Sequence, residues 1–182
     1  MYQPISMMYN TRLIFSFLIL FAISYFRNEK HFDKIIFHAG RCLGDCPTYH
    51  LEIQGDGKVQ LFAERVSAKS LFGRQDTGHF EGVATRSLFN KLNKIIDTIG
   101  VEHLKFNGAT CCDASLITII VYRHGKRTFL RSMFPPGRSR ALIKTLYQLC
   151  ADNKLKRTRH KFNIEGSSFP SVKVNDVKFP PK

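Results

Sequence analysis

Residues 49–64 carry the sequence feature that most constrains the fold. Tyr49, Leu51 and Ile53 alternate with His50, Glu52 and Gln54, the period of a strand with one buried and one open face. Asp56-Gly57 follows and supplies the positive φ of a tight hairpin turn. Lys58 to Glu64 then returns as the partner strand.

The rest of the pattern fits around that hairpin. Asp33 to Ala39 (DKIIFHA) predicts a strand before it, joined by the loop GRCLGDCP, and a further short strand is expected near Arg74 to Phe80. Leu88, Phe89, Leu92, Ile95, Ile96 and Ile99 share one helical face, and Gly100 stands where a helix ends. Leu116 to Tyr122 (LITIIVY) suits a central strand, and His124-Gly125 turns it into Lys126 to Met133. Pro135 and Pro136 close that strand and open a second helix, with Leu142, Ile143, Leu146, Leu149 and Cys150 on one face. The expectation is an α+β domain over 33–151: an antiparallel sheet of two hairpins with two helices packed on one face, in the order hairpin-helix, hairpin-helix. A chain of 182 residues with 43% hydrophobic content and 16 Phe can close one such core. From Asp152 the sequence turns into a basic linker, NKLKRTRHK, and a Ser-, Pro- and Lys-containing tail over 152–182. That tail reads either as disordered or as an edge strand near Val172 to Val177.

The first 26 residues have a different character. Arg12 precedes an uncharged run of Leu, Ile and Phe, and Arg27, Glu29 and Lys30 follow it. This is the layout of a secretory signal, with small residues Ala22 and Ser24 placed for cleavage before Tyr25. The apolar stretch from Leu13 to Phe26 is 14 residues long, short of the roughly 20 that span a bilayer. A short N-terminal anchor and a buried helix are the competing readings. The expected location is therefore periplasmic or extracellular, and all five cysteines lie beyond the apolar run, where they would meet an oxidising environment.

Cys42 and Cys46 bracket Gly44 and Asp45, which favour a turn that brings the two Cα atoms within disulfide range. A small-ring disulfide bracing the loop is the structural reading. Two functional readings compete with it. One is thiol-redox exchange by the same pair. The other is a copper or zinc site formed by His38, Cys42, Cys46 and His50, which recur at intervals of four. Adjacent Cys111 and Cys112 do not readily bond to each other, and Cys150 reads as a buried free thiol on an apolar helix face.

An apolar strand, then CxGxCPxY, then a strand and a Gly-Asp-Gly hairpin resembles an uncharacterised, mostly bacterial family of small, often exported domains, domain of unknown function 6438. The residues that carry the resemblance are Cys42, Gly44, Cys46, Pro47, Tyr49, Gly55, Asp56 and Gly57, and the likeness runs from about Ile35 to Cys150. Where that family commonly has a Thr-Asp pair before its second hairpin, this chain has Cys111, Cys112 and Asp113. The resemblance implies fold and export and is silent on catalysis.

The net charge of +14 is regional. From Arg123 to Lys161 there are 12 basic residues and one acid, whereas Asp33 to Tyr122 is neutral overall. Arg123, Lys126, Arg127, Arg131, Arg138, Arg140 and Lys144 are the candidate anion-binding residues, for an anionic envelope component or membrane surface. A merely solvated basic face is the bland alternative. No nucleic-acid-binding motif accompanies the charge, which disfavours that partner. The chain contains no GxSxG, HExxH, phosphate loop or GxGxxG. The sequence thus points to an exported, non-catalytic binding or structural module of the cell envelope that needs no cofactor, with the thiol-redox or metal protein as the alternative.

Overall fold

A computed structural model describes residues 31–66, 74–109 and 113–167. All belong to the compact unit that begins at His31. The N-terminal signal or anchor segment, Cys111, Cys112 and the Val172 to Val177 segment lie outside the described residues.

Seven strands form a single sheet: β1 (Lys34–Ala39), β2 (Thr48–Gln54), β3 (Lys58–Arg65), β4 (Gly78–Val83), β5 (Ile117–Arg123), β6 (Lys126–Ser132) and β7 (Lys156–Arg157). Their order is β6-β5-β1-β2-β3-β4-β7 and every pairing is antiparallel. Helix α1 (Arg86–Ile99) follows β4, and α2 (Arg140–Cys150) follows β6. The α+β architecture read from the sequence is the one observed.

Local chemistry explains the turns. Gly57 sits at φ 86°, where a side chain would be strained, and Asp56 accepts a hydrogen bond from the Lys58 amide at 3.0 Å. His124 (φ 50°) and Gly125 (φ 71°) are both left-handed, as a two-residue hairpin requires. Gly100 ends α1 at φ 57°.

Strand alternation divides the side chains between two faces. Ile35, Phe37, Tyr49, Leu51, Ile53, Val59, Leu61, Phe80, Ile119 and Leu130 point to the face covered by α1 and α2, and pack against Leu92, Ile96, Leu142, Leu146 and Leu149. The opposite face carries His38, His50, Phe62 and His79 on adjacent strands in register, with Ile36 and Ile120 beside them. There the cover is the chain after β7, through Phe162 and Ile164.

Two sequence expectations shift. The strand expected near Arg74 to Phe80 runs instead from Gly78 to Val83, because Arg74 is occupied in binding the C-terminal end of α2 through its guanidinium. The residues read as a linker after Asp152 are built into the domain. Leu155 and Ile164 are buried, and Lys156–Arg157 pairs with β4. The run of basic residues masked their role, because a two-residue edge strand leaves no period to read.

Candidate functional site

The loop between β1 and β2 is closed by a disulfide between Cys42 and Cys46, whose Cα atoms are 5.7 Å apart. It projects into solvent, with Leu43 86% exposed at its tip. With both sulfurs bonded to each other, Cys42 and Cys46 offer no thiolate to a metal, and among the described residues no three His, Cys, Asp or Glu side chains converge on a metal-sized space. His38 and His50 do come together, but as a hydrogen-bonded pair on neighbouring strands. A ring of this size constrains few unfolded conformations. Cys42→Ser with Cys46→Ser should therefore cost only about 2 kcal/mol in chemical denaturation, and the wild type under reductant should match it.

Pro47, directly after the disulfide, forms one wall of a cleft of about 500 Å³. Pro135, Pro136, Ile143 and Tyr147 supply the remaining apolar surface, and Arg140 and Lys144 from the first turns of α2 stand at its edge. The prolines fix the chain as it leaves β6, and Pro136 at ψ 150° leads into a 3₁₀ turn, Gly137–Ser139, from which α2 starts. Tyr147 is held rigidly, edge-on to Phe37 at 5.1 Å and to Tyr49 at 6.3 Å. Burial raises its hydroxyl pKa to about 12, so it stays a neutral wall of the cleft.

The seven candidate anion-binding residues are not one surface. Arg123 is committed to Asp97 at 2.9 Å and Glu102 at 3.3 Å. Arg127 pairs with Glu165 at 3.1 Å and lies on the opposite face of the sheet, as does Arg131, the register partner of Thr118. Arg138 donates to the Ile99 carbonyl at 3.4 Å. Lys126 is exposed at the first position of β6, just after the turn. Arg140 and Lys144 alone line the cleft, and Arg140 pairs with no carboxylate among the described residues. Linear charge density could not foresee this division, because successive strand residues point to opposite sides.

The second face carries a row of rings. His38 and His50 approach through their Nδ1 atoms at 2.9 Å, and His38 Nε2 lies 2.8 Å from the carbonyl oxygen of Glu165. His50 stacks on Phe62, Phe62 on His79 at 4.6 Å between centroids, and Phe162 closes the row edge-on to His79 at 4.8 Å. Burial, then the neighbouring His50, pulls the His38 pKa down to about 4. Burial lowers that of His50 as well, against the pull of Glu64, and burial with Lys161 and His160 lowers that of His79. Glu64 sits 3.6 Å from His50 Nε2 and pairs with Arg41, whose charge together with that of His50 outweighs burial and keeps the carboxyl low. Phe62, Glu64 and Glu165 carried no local signal. Strand register sets Phe62 beside His50, the end of β3 brings Glu64 to it, and the chain after β7 brings Glu165 to His38.

Cys150 is a buried free thiol on α2, and burial pushes its pKa up, away from thiolate chemistry. Among the described residues no helix is long and apolar enough to cross a membrane. No curated protein matches the chain. The match that identifies its kinship covers six of the seven strands, from before β1 to the end of α2: residues 33–150 fit the family Domain of unknown function (DUF6438), and the chain belongs to that family.

Proposed function

We propose that this domain is an exported, non-catalytic binding module of the cell envelope, and that the cleft beside the disulfide loop receives an anionic group of its partner. The observation that carries the reading is the coincidence of Arg140 and Lys144 with an apolar wall of Pro47, Pro135, Ile143 and Tyr147 in one cavity. Most of the other candidate cations are spent on internal contacts or face elsewhere. An anion held there keeps its charge at two cationic side chains and buries its body against proline and tyrosine. The apolar run at Leu13 to Phe26 supports delivery across a membrane. The disulfide supports residence where thiols oxidise.

Binding to acidic liposomes at low salt should weaken steeply as salt rises. Changing Arg138, Arg140 and Lys144 together to Gln should abolish that salt-dependent component while leaving the far-ultraviolet spectrum unchanged. Undiminished binding by the triple variant would refute the reading. The exposure of Leu43 and Asp45 keeps a second reading open, in which Cys42 and Cys46 exchange with external thiols. Counting thiols on protein recovered under native conditions separates the two, since an exchanging pair is found partly reduced.

A further inference from the structure

We propose that the chain from Thr158 to Ser167 is an acid-released strap, latched to the sheet by the paired imidazoles of His38 and His50.

The strap has a small set of anchors. The Thr158 amide donates to the His79 carbonyl at 2.9 Å, Phe162 meets the His79 ring, and Ile164 is buried with Ile36 and Ile120. The last anchor is Glu165. Its carbonyl oxygen takes the hydrogen bond from His38, and its carboxylate accepts from the Tyr122 hydroxyl at 2.8 Å and from Arg127 at 3.1 Å, with Lys34 Nζ at 3.5 Å.

A carbonyl can only accept, so His38 Nε2 carries a hydrogen. Neutral His38 then has a bare Nδ1, and the 2.9 Å contact requires His50 to present Nδ1–H to it. One extra proton has a place to go, on His50 Nε2 facing Glu64 at 3.6 Å. A second does not. It would set His38 Nδ1–H against His50 Nδ1–H, two donors and two positive charges across the same gap.

The charged surroundings of His38 give it little relief. From β2 it faces His50, from β3 Glu64, and from the loop after β1 Arg41, which is already bound to Glu64. Thr118 on β5 is uncharged, and Arg131 on β6 continues the same row. From β4 comes His79, with Lys161 and His160 of the strap close to it. The remaining carboxylate, Glu165, is held by Arg127, Tyr122 and Lys34. Doubly protonated, the pair must separate. A His38 ring that turns away gives up the Glu165 carbonyl, and the strap is left at Glu165 with only its carboxylate contacts to Tyr122, Arg127 and Lys34.

The direction with pH follows from linkage. His38 titrates near 6.5 when freely solvated and near 4 when latched. With the strap detached, His38 therefore binds the proton more tightly, docking is fully favoured above about pH 6.5, and the docking equilibrium falls by up to about tenfold per pH unit between there and about pH 4. The strap yields before the sheet because its buried apolar contribution rests mainly on Ile164 with half-buried Phe162, whereas the helix-covered face holds the main core.

Hydrogen exchange of the full-length protein, corrected for the intrinsic rate, tests this at about pH 7 and about pH 4.5. Peptides within 158–167 should lose at least about tenfold in protection at the lower pH, while β1, β2 and α2 retain theirs. His38→Gln can still donate to Glu165 and accept from His50 but does not titrate, and its strap should stay protected in acid. If that variant already loses the strap at neutral pH, Glu165→Gln decides: it should still release its strap in acid. The proposal is overturned if the wild-type strap stays protected, if strap and sheet exchange together, or if Glu165→Gln abolishes the response.

Discussion

An alanine at Gly55 should destabilise the domain by about 3 kcal/mol, lowering the thermal midpoint by about 6 to 12 °C. A Cβ at this position would lie 2.2 Å from the carbonyl oxygen of Phe32 and 3.4 Å from that of Asp33. Both obstacles are backbone, so no rotamer change clears them. The Gly55 amide donates to the Asp33 carbonyl at 2.9 Å, which pins the β2–β3 turn against the start of β1. Phe32 is fully buried, with its ring edge-on to Phe89 of α1. Either the hairpin swings away from β1 or Phe32 leaves the core. Gly57→Ala is the matched control. Its Cβ would have 3.6 Å to the nearest heavy atom, Cγ1 of Val83, and only the positive φ is strained, a cost of about 1 kcal/mol. Chemical denaturation of both variants distinguishes them, and equal losses would show that the contact with Phe32 relaxes freely.

Arg74→Ala should cost a similar amount, about 3 kcal/mol, by a different route. The guanidinium donates to the Asp152 carbonyl at 3.0 Å, the Leu155 carbonyl at 3.1 Å and the Cys150 carbonyl at 3.5 Å. It also lies 3.9 Å above the Phe80 ring. The C-terminal end of a helix leaves its last carbonyls without partners, and here one planar fork collects them together with that of Leu155. Without it those oxygens lose the guanidinium donors in a half-buried setting, the Asp152 carbonyl keeping the Leu155 amide at 3.2 Å, and the path from α2 into β7 is no longer fixed. Arg74→Lys keeps the charge but replaces the fork with a single point, and it should recover less than half of the loss. A lysine variant as stable as wild type would mean that charge alone matters there.

These two positions also show where sequence reasoning reached and where it stopped. The hairpin turn at Asp56-Gly57, the helical face from Leu88 to Ile99 and the apolar strand around Ile119 are local patterns, each set by neighbours within a few residues, and they were legible. Gly57 could be recognised because its requirement is its own φ. Gly55 could not, because what it must avoid is a carbonyl more than twenty positions earlier. Arg74 read as part of a strand for the same reason: its partners are the end of a helix far along the chain. At the candidate site, the loop Cys42 to Cys46 announced its bridge through spacing and turn residues. The imidazole pair became visible as a pair only once β1 was laid beside β2, and the cleft only once Pro47 met the start of α2. Prolines that had signalled a helix boundary turned out also to be its walls.

The placement of β1 carries a consequence for how the molecule comes into being. This strand is hydrogen-bonded on one side to β2, close by in the chain, and on the other to β5, with Ala39 opposite Ile117. During synthesis, β2 and β3 can zip locally, but the middle of the sheet stays open until residue 117 and those after it emerge. Throughout that interval the nascent chain presents the backbone edge of Ile35, Ile36 and Phe37 to any extended segment it meets, so its greatest exposure to mispairing comes before it is complete.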